Sequence, residues 1–157
     1  MEQEPALCQA ILFSEFVLRE KGTDKLSIIN SFNKLYFPQF PFFTPPFFLS
    51  LLLTHLRGKI SSFDVTARVE DPNSGHVLTS SSAKIDFSPD SPPFEETTTL
   101  DLVIPLPPFM VSQKGNYSVV VLVNNEKIGE RILPVLPFPP GLTMPHPFKP
   151  LFPPPPS

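Results

Sequence analysis

The sequence predicts an all-β chain: a two-sheet antiparallel β-sandwich at residues 1–136, then a disordered proline-rich tail at 137–157. Three observations predict it. The 157 residues include 23 Pro, and each interior proline costs a helix about 3 kcal/mol. Residues 62–70 alternate strictly, with Phe63, Val65, Ala67 and Val69 apolar and Ser62, Asp64, Thr66, Arg68 and Glu70 polar. That period puts one set in a core and the other in water, as a half-buried antiparallel strand requires. Clusters of turn residues then recur at short spacing, beginning with Asp71-Pro72-Asn73-Ser74-Gly75.

The elements follow in chain order. Residues 6–13 are expected as a first strand, although 6–20 also reads as an amphipathic helix. Residues 25–33 form a second strand. Residues 47–56, an apolar run through Phe47, Phe48 and Leu49 to Leu53, form a third. The alternating strand 62–70, the turn at 71–75 and a returning strand at 76–87 make the clearest hairpin. At 100–106, Leu100, Leu102, Ile104 and Leu106 alternate with Thr99, Asp101, Val103 and Pro105, and the prolines at 105, 107 and 108 confine this strand to an edge or end it. Gly115-Asn116-Tyr117 opens a Val-rich strand at 117–123, since branched side chains pack well on a pleated surface. Asn124-Asn125-Glu126 turns the chain into a last strand at 127–135. About eight short strands at this spacing indicate two packed sheets of the immunoglobulin-like kind.

Composition narrows the function. The net charge is −3 and the 12 Lys and Arg are dispersed, so no basic patch exists to neutralise phosphates, and nucleic acid is not an expected partner. Cys8 is the only cysteine, which excludes an intrachain disulfide and fits a reducing compartment. The acidic N-terminus, with Glu2 and Glu4, is not a secretory signal. Residues 35–56 carry no formal charge, but Pro38, Pro41, Pro45 and Pro46 leave about ten clean apolar residues where a spanning helix needs about 20. A buried strand is expected there, and no membrane partner. Anchoring through residues 37–56 is the alternative.

Catalytic chemistry finds little support. His55, His76 and His146 lie on separate segments without metal-ligand spacing. Cys8 and His55 could form a nucleophilic pair only if the first and third strands were adjacent. The six glycines build no phosphate-cradling loop. Asp64, Arg68 and Lys84 are expected to pair across a solvated sheet face. Asn116-Tyr117-Ser118 matches a glycosylation sequon by coincidence. No catalytic, metal-binding or cofactor-binding residue is assigned, no cofactor is expected, and the chain is read as a non-enzyme.

The tail holds ten prolines in its 21 residues, with Lys149 its one charge. Each proline removes a backbone donor, so extended polyproline II is expected. Phe152, Pro153, Pro154, Pro155 and Pro156 resemble the proline-rich ligand that EVH1 domains receive in an aromatic groove. An inert spacer is the other reading.

The ordered set Ala6-Leu7-Cys8, then Lys25 to Phe32, then Phe63 to Gly75, and finally Gly115-Asn116-Tyr117 with Leu133-Pro134-Val135 resembles a family of small bacterial proteins known as a domain of unknown function. The resemblance covers residues 5–136 and implies a β-sandwich without assigned activity, bacterial and cytoplasmic. Asn30 departs from it, since glycine is expected at that position. The functional expectation is a binding or scaffold module that meets a protein partner or forms a homodimer, through sheet edges or the Pro/Phe-rich loop at 37–48. An enzyme whose site assembles from loops is the alternative.

Overall fold

The computed structural model describes residues 7–56, 58–95 and 97–141. Among them the chain is all β. It forms eleven strands: β1 Leu7–Arg19, β2 Leu26–Phe32, β3 Leu35–Phe37, β4 Phe42–Phe43, β5 Phe47–Thr54, β6 Ser62–Glu70, β7 Val77–Asp86, β8 Leu100–Leu106, β9 Met110–Val111, β10 Gly115–Val123 and β11 Glu126–Pro137. Eight correspond to the expected strands. The three additions, β3, β4 and β9, are two or three residues long, too short for a period to register.

Four strands make one sheet in the order β2-β1-β5-β8, and five make another in the order β3-β11-β10-β6-β7, while β4 and β9 pair separately. Neighbours are antiparallel except β3, which runs parallel to β11. The alternation of β6 sets its register: Phe63, Val65, Ala67 and Val69 oppose Ile85, Ala83, Ser81 and Thr79 of β7. On the other side of β6, Val65, Ala67 and Val69 oppose Val123, Val121 and Val119. Pro105 sits on β8, an edge strand opposite Phe48, where its missing N–H removes no ladder bond on the solvent side.

The helical alternative for residues 6–20 is overturned from Leu7 onward. Ile11 and Phe13 of β1 lie opposite Leu51 and Leu49 of β5, so their apolar side chains gain more from a sheet face than from a helical stripe. β1 is also longer than expected, continuing to Arg19 as half of a hairpin with β2.

Both main sheets contribute to one core. Phe13, Leu49 and Phe47 from the first sheet and Val65, Tyr117 and Leu133 from the second are nearly or fully buried within a single cluster. Phe13, Phe32 and Phe47 meet pairwise with centroids 5.4–6.0 Å apart, and such aromatic pairs add about 0.5–1.5 kcal/mol each beyond area burial. Arg131 of β11 crosses between the sheets. Its guanidinium lies 4.8 Å from the ring centre of Phe13, one nitrogen donates to the Ile11 carbonyl, and the other donates to Asn33 Oδ1 at 3.1 Å.

The apolar run at 47–56 supplies β5, the strand between β1 and β8, and Phe47, Leu49, Leu51 and Leu53 are buried in the core. No helix among the described residues is long and apolar enough to cross a membrane. Part of the Pro/Phe-rich loop is drawn inward too, while Phe43 stays exposed. Phe37 is buried, and Phe40 and Phe42 pack on it with centroids 6.3 and 4.4 Å away. Thr44 fastens the loop: its amide donates to the Phe109 carbonyl at 2.9 Å, and its hydroxyl accepts from the Phe109 amide at 3.1 Å.

Candidate functional site

Among the described residues, His55 and His76 contact near neighbours in sequence. His55 follows β5 in a left-handed conformation, and its Nδ1 lies 3.0 Å from Thr54 Oγ1. His76 closes the turn after β6, where its amide donates to Ser74 Oγ at 3.3 Å. In the same turn the amides of Ser74 and Asn73 donate to Asp71 Oδ1 at 2.9 Å each, which holds the Asp71 carboxyl below its ordinary range. His146 and the tail motif Phe152 to Pro156 lie outside the described residues. The described residues contain no group of three or more His, Cys, Asp or Glu placed to hold a metal ion.

The condition set for a Cys8–His55 pair is met in one respect. β1 and β5 are adjacent, with Cys8 opposite Leu53 and Leu7 opposite Thr54. The chemistry runs the other way. Cys8 is buried, and its thiol contacts the Ala10 carbonyl at 3.3 Å. Burial pushes its pKa up to about 11, against the lowering by that contact. A nucleophilic cysteine needs a stabilised thiolate, and this environment disfavours one.

The outer face of the five-stranded sheet is solvated, as expected, but its ion pairs differ from those anticipated. Arg68 pairs with Glu70 at 3.1 Å and Lys84 with Asp86 at 3.4 Å, each two residues along its own strand. Asp64 lies opposite Lys84 in the ladder. Its amide donates to Asn124 Oδ1 at 2.9 Å, and its carbonyl accepts from the Asn124 amide at the same distance. Long side chains reach their i+2 neighbour on one strand face as readily as a cross-strand partner, so register alone does not decide such pairs.

The four-stranded sheet differs. Ladder register places Leu12 opposite Ser50 and Ala10 opposite Leu52 on its outer side, and Leu52 opposite Asp101 of β8. The β1–β2 hairpin comes back against this side. At its tip Gly22 and Asp24 take positive φ angles of 101° and 60°, which lets the chain reverse tightly. Arg19, next to the tip, pairs with Asp24 at 3.0 Å and donates to the Asp101 carbonyl at 3.4 Å.

Between hairpin and sheet lies an open cavity of about 690 Å³. Thr23, Asp24, Lys25, Leu26 and Ile28 form its hairpin wall. Ala10, Leu12, Ser50, Leu52 and Asp101 line the sheet side. The volume falls within the roughly 300–1,000 Å³ of small-molecule sites. Ser50 is 6% exposed and its hydroxyl has no hydrogen-bond partner. Ser14, on the same side of β1, is likewise buried with an unpartnered hydroxyl. The far side of the hairpin carries Phe16 and Leu18, 57% and 59% exposed, beside Ile29.

Reasoning from sequence missed this cavity. Its two walls lie up to 78 positions apart, from Thr23 to Asp101, and no residue pattern announces that the hairpin returns to the sheet. The signal that was available is Leu12, an apolar residue in the outer phase of β1, at a position that an ordinary half-buried strand gives to a polar side chain.

No curated protein and no solved structure matches the chain. A family model does match, over residues 9–136, which takes in every strand except Leu7 and Cys8 of β1 and Pro137 of β11. The chain belongs to the family of unknown function DUF6941.

Proposed function

We propose that this chain is a non-enzymatic interaction module, an immunoglobulin-like β-sandwich that associates with a second copy of itself by strand addition at β7. Strand order supports the sandwich: β1, β5 and β8 stand on one side of the shared core and β11, β10, β6 and β7 on the other. Tyr117, near the start of β10, is fully buried and its hydroxyl donates to the Gln113 carbonyl at 2.8 Å. A tyrosine reaching back a few residues at the start of a strand is a recurrent corner of that arrangement. The raised thiol of Cys8 supports a non-catalytic role, and its free, buried state supports a cytoplasmic one.

The observation that carries the interaction is a comparison of the four edges of the two main sheets. Edge strands offer unpaired N–H and C=O groups, and soluble proteins blunt them with prolines, short length or backbone breaks. β8 carries Pro105, β3 has three residues, and β2 is broken by Asn30 at φ 53°. β7 runs for ten residues with neither proline nor glycine; its one ladder irregularity, at Leu78 opposite Val69 and Glu70, lies near the Val77 end, and its charges, Lys84 and Asp86, sit at the other end. Antiparallel pairing of two β7 strands about a two-fold axis at Ser81 sets Ser80 opposite Ser82 and Lys84 opposite Leu78. The lysines of the two copies therefore do not meet, and the interface is self-complementary.

Sedimentation equilibrium tests this. The expected result is a concentration-dependent dimer that Ser81→Lys converts to a monomer of similar melting temperature, because an inward-pointing charge on an edge strand blocks pairing. A chain that stays monomeric at about millimolar concentration, well above the micromolar range of ordinary complexes, overturns the self-association reading.

A further inference from the structure

We propose that the cavity between the β1–β2 hairpin and the outer side of the four-stranded sheet binds an uncharged amphiphile, an apolar chain ending in a hydrogen-bonding oxygen such as a fatty alcohol. The site is separate from the β7 edge and stands or falls apart from it. Its walls are apolar over most of their extent: Ala10, Leu12 and Leu52 on the sheet face Leu26 and Ile28 on the hairpin. Leu12 is 38% exposed, so apolar surface is left for a ligand to cover.

Ser50 supplies the polar point. Its side chain lies on the cavity side of β5, opposite Leu12 in the ladder, and its hydroxyl is buried without a partner. Native proteins rarely leave such a group unsatisfied, and a hydroxyl or carbonyl oxygen entering between the walls provides what it lacks. The hairpin is tethered to the sheet exterior through Arg19, whose contact with the Asp101 carbonyl is long at 3.4 Å and exposed. A small lift of the hairpin therefore opens the approach to Ser50 without breaking the core.

Charge at the rim selects against ions. Arg19 is paired with Asp24 at 3.0 Å, and Lys25 and Asp101, one on each wall, are of opposite sign. These four groups sum to zero, so neither a carboxylate nor an ammonium head gains a net field.

The test displaces the uncharged fluorophore N-phenyl-1-naphthylamine from the full chain with 1-decanol, decanoate or decylammonium. Saturable displacement by decanol, with both ions at least about tenfold weaker, is expected. Leu12→Asp is expected to abolish binding. Ser50→Ala should weaken decanol roughly five- to tenfold, the loss of one ordinary hydrogen bond, with the melting temperature unchanged or raised. Should Leu12→Asp fail to fold, decanol-induced amide shifts in the wild-type chain decide the location: shifts confined to residues 10–12, 23–28 and 50–52 support the site, and shifts elsewhere overturn it. Non-saturable binding, equal binding of ions and alcohol, or a folded Leu12→Asp variant that binds as before also overturns it.

Discussion

Gly129 of β11 and Cys8 of β1 stand so close that a Cβ added to Gly129 would lie 2.7 Å from the Cβ of Cys8. The two strands belong to different sheets, and each is irregular at this point: the ladder shifts between Cys8 and Ala10 on β1, and opposite Lys127 to Gly129 on β11. Such bulges bend a strand locally, and here they bring two backbones together where only a glycine fits.

Gly129→Ala is therefore expected to destabilise the fold by about 1–3 kcal/mol, the usual range for overpacking, and to lower the urea midpoint at unchanged m. Cys8→Ala keeps the offending Cβ and should give no rescue, whereas Cys8→Gly should recover part of the loss in the double variant. Equal behaviour of the two Cys8 variants would remove the steric explanation.

The Cys8 thiol makes stability fall at high pH. Its folded pKa is raised to about 11 by burial, from an ordinary 9.0. The folded state therefore keeps a proton that the unfolded chain releases first, and the stability this contributes is complete below pH 9 and lost as pH rises to about 11. Urea midpoints measured from pH 8 to 11 should decline more steeply for the wild type than for Cys8→Ala. Parallel curves would show that the thiol titrates as it does in the unfolded chain.

Asn30 occupies the left-handed region at φ 53° in the middle of β2, and its side-chain Nδ2 donates to Glu15 Oε2 at 2.7 Å. Asparagine tolerates this conformation because its short polar side chain bonds locally. Asn30→Gly should leave stability within about 0.5 kcal/mol, while Asn30→Val should cost about 1–2 kcal/mol. Chemical denaturation separates the causes: if glycine is as harmful as valine, the bond to Glu15 matters more than the backbone.

The β10–β11 turn offers a gain. Asn124 and Asn125 have φ angles of 47° and 68°, and Val123 opposes Glu126 in the ladder, so two residues with positive φ close the hairpin. This tight turn prefers glycine at its second position. Asn125→Gly should raise the melting temperature by a few degrees, equivalent to about 0.5–1 kcal/mol. An unchanged or lower value would mean that the Asn125 side chain contributes more than its backbone strain costs.

The β6–β7 hairpin was legible almost to the residue, because strict alternation and a turn segment with a distinct chemistry at each position leave one register. The expected glycine at position 30 was informative in another way, since asparagine there meets the same backbone demand. Reading β1 as ending near Phe13 failed because Ser14 to Arg19 mixes apolar and polar residues in both phases. A strand that leaves its sheet to form a two-stranded hairpin no longer has one wet face and one dry face. The ion pairs of β6 and β7 were misassigned because side-chain reach, and not strand pairing, selects among neighbours at similar distance.

Local chemistry by itself determined that residues 25–135 are built from β-strands while leaving 6–20 open to a helix, which segments pair through tight turns, that residues 47–54 form a largely buried strand, and that proline puts residues 100–106 at an edge or ends the strand there. Those properties depend on period, turn residues and missing N–H groups, all of which act within about ten residues. Only the tertiary structure decided the close approach of Gly129 to Cys8, the reach of Arg131 to Ile11, and the return of the Arg19 hairpin onto Asp101 to enclose Ser50. Each joins positions roughly 80–120 apart in the chain. Such contacts follow from how twisted sheets meet around a shared core, and no local pattern encodes that geometry.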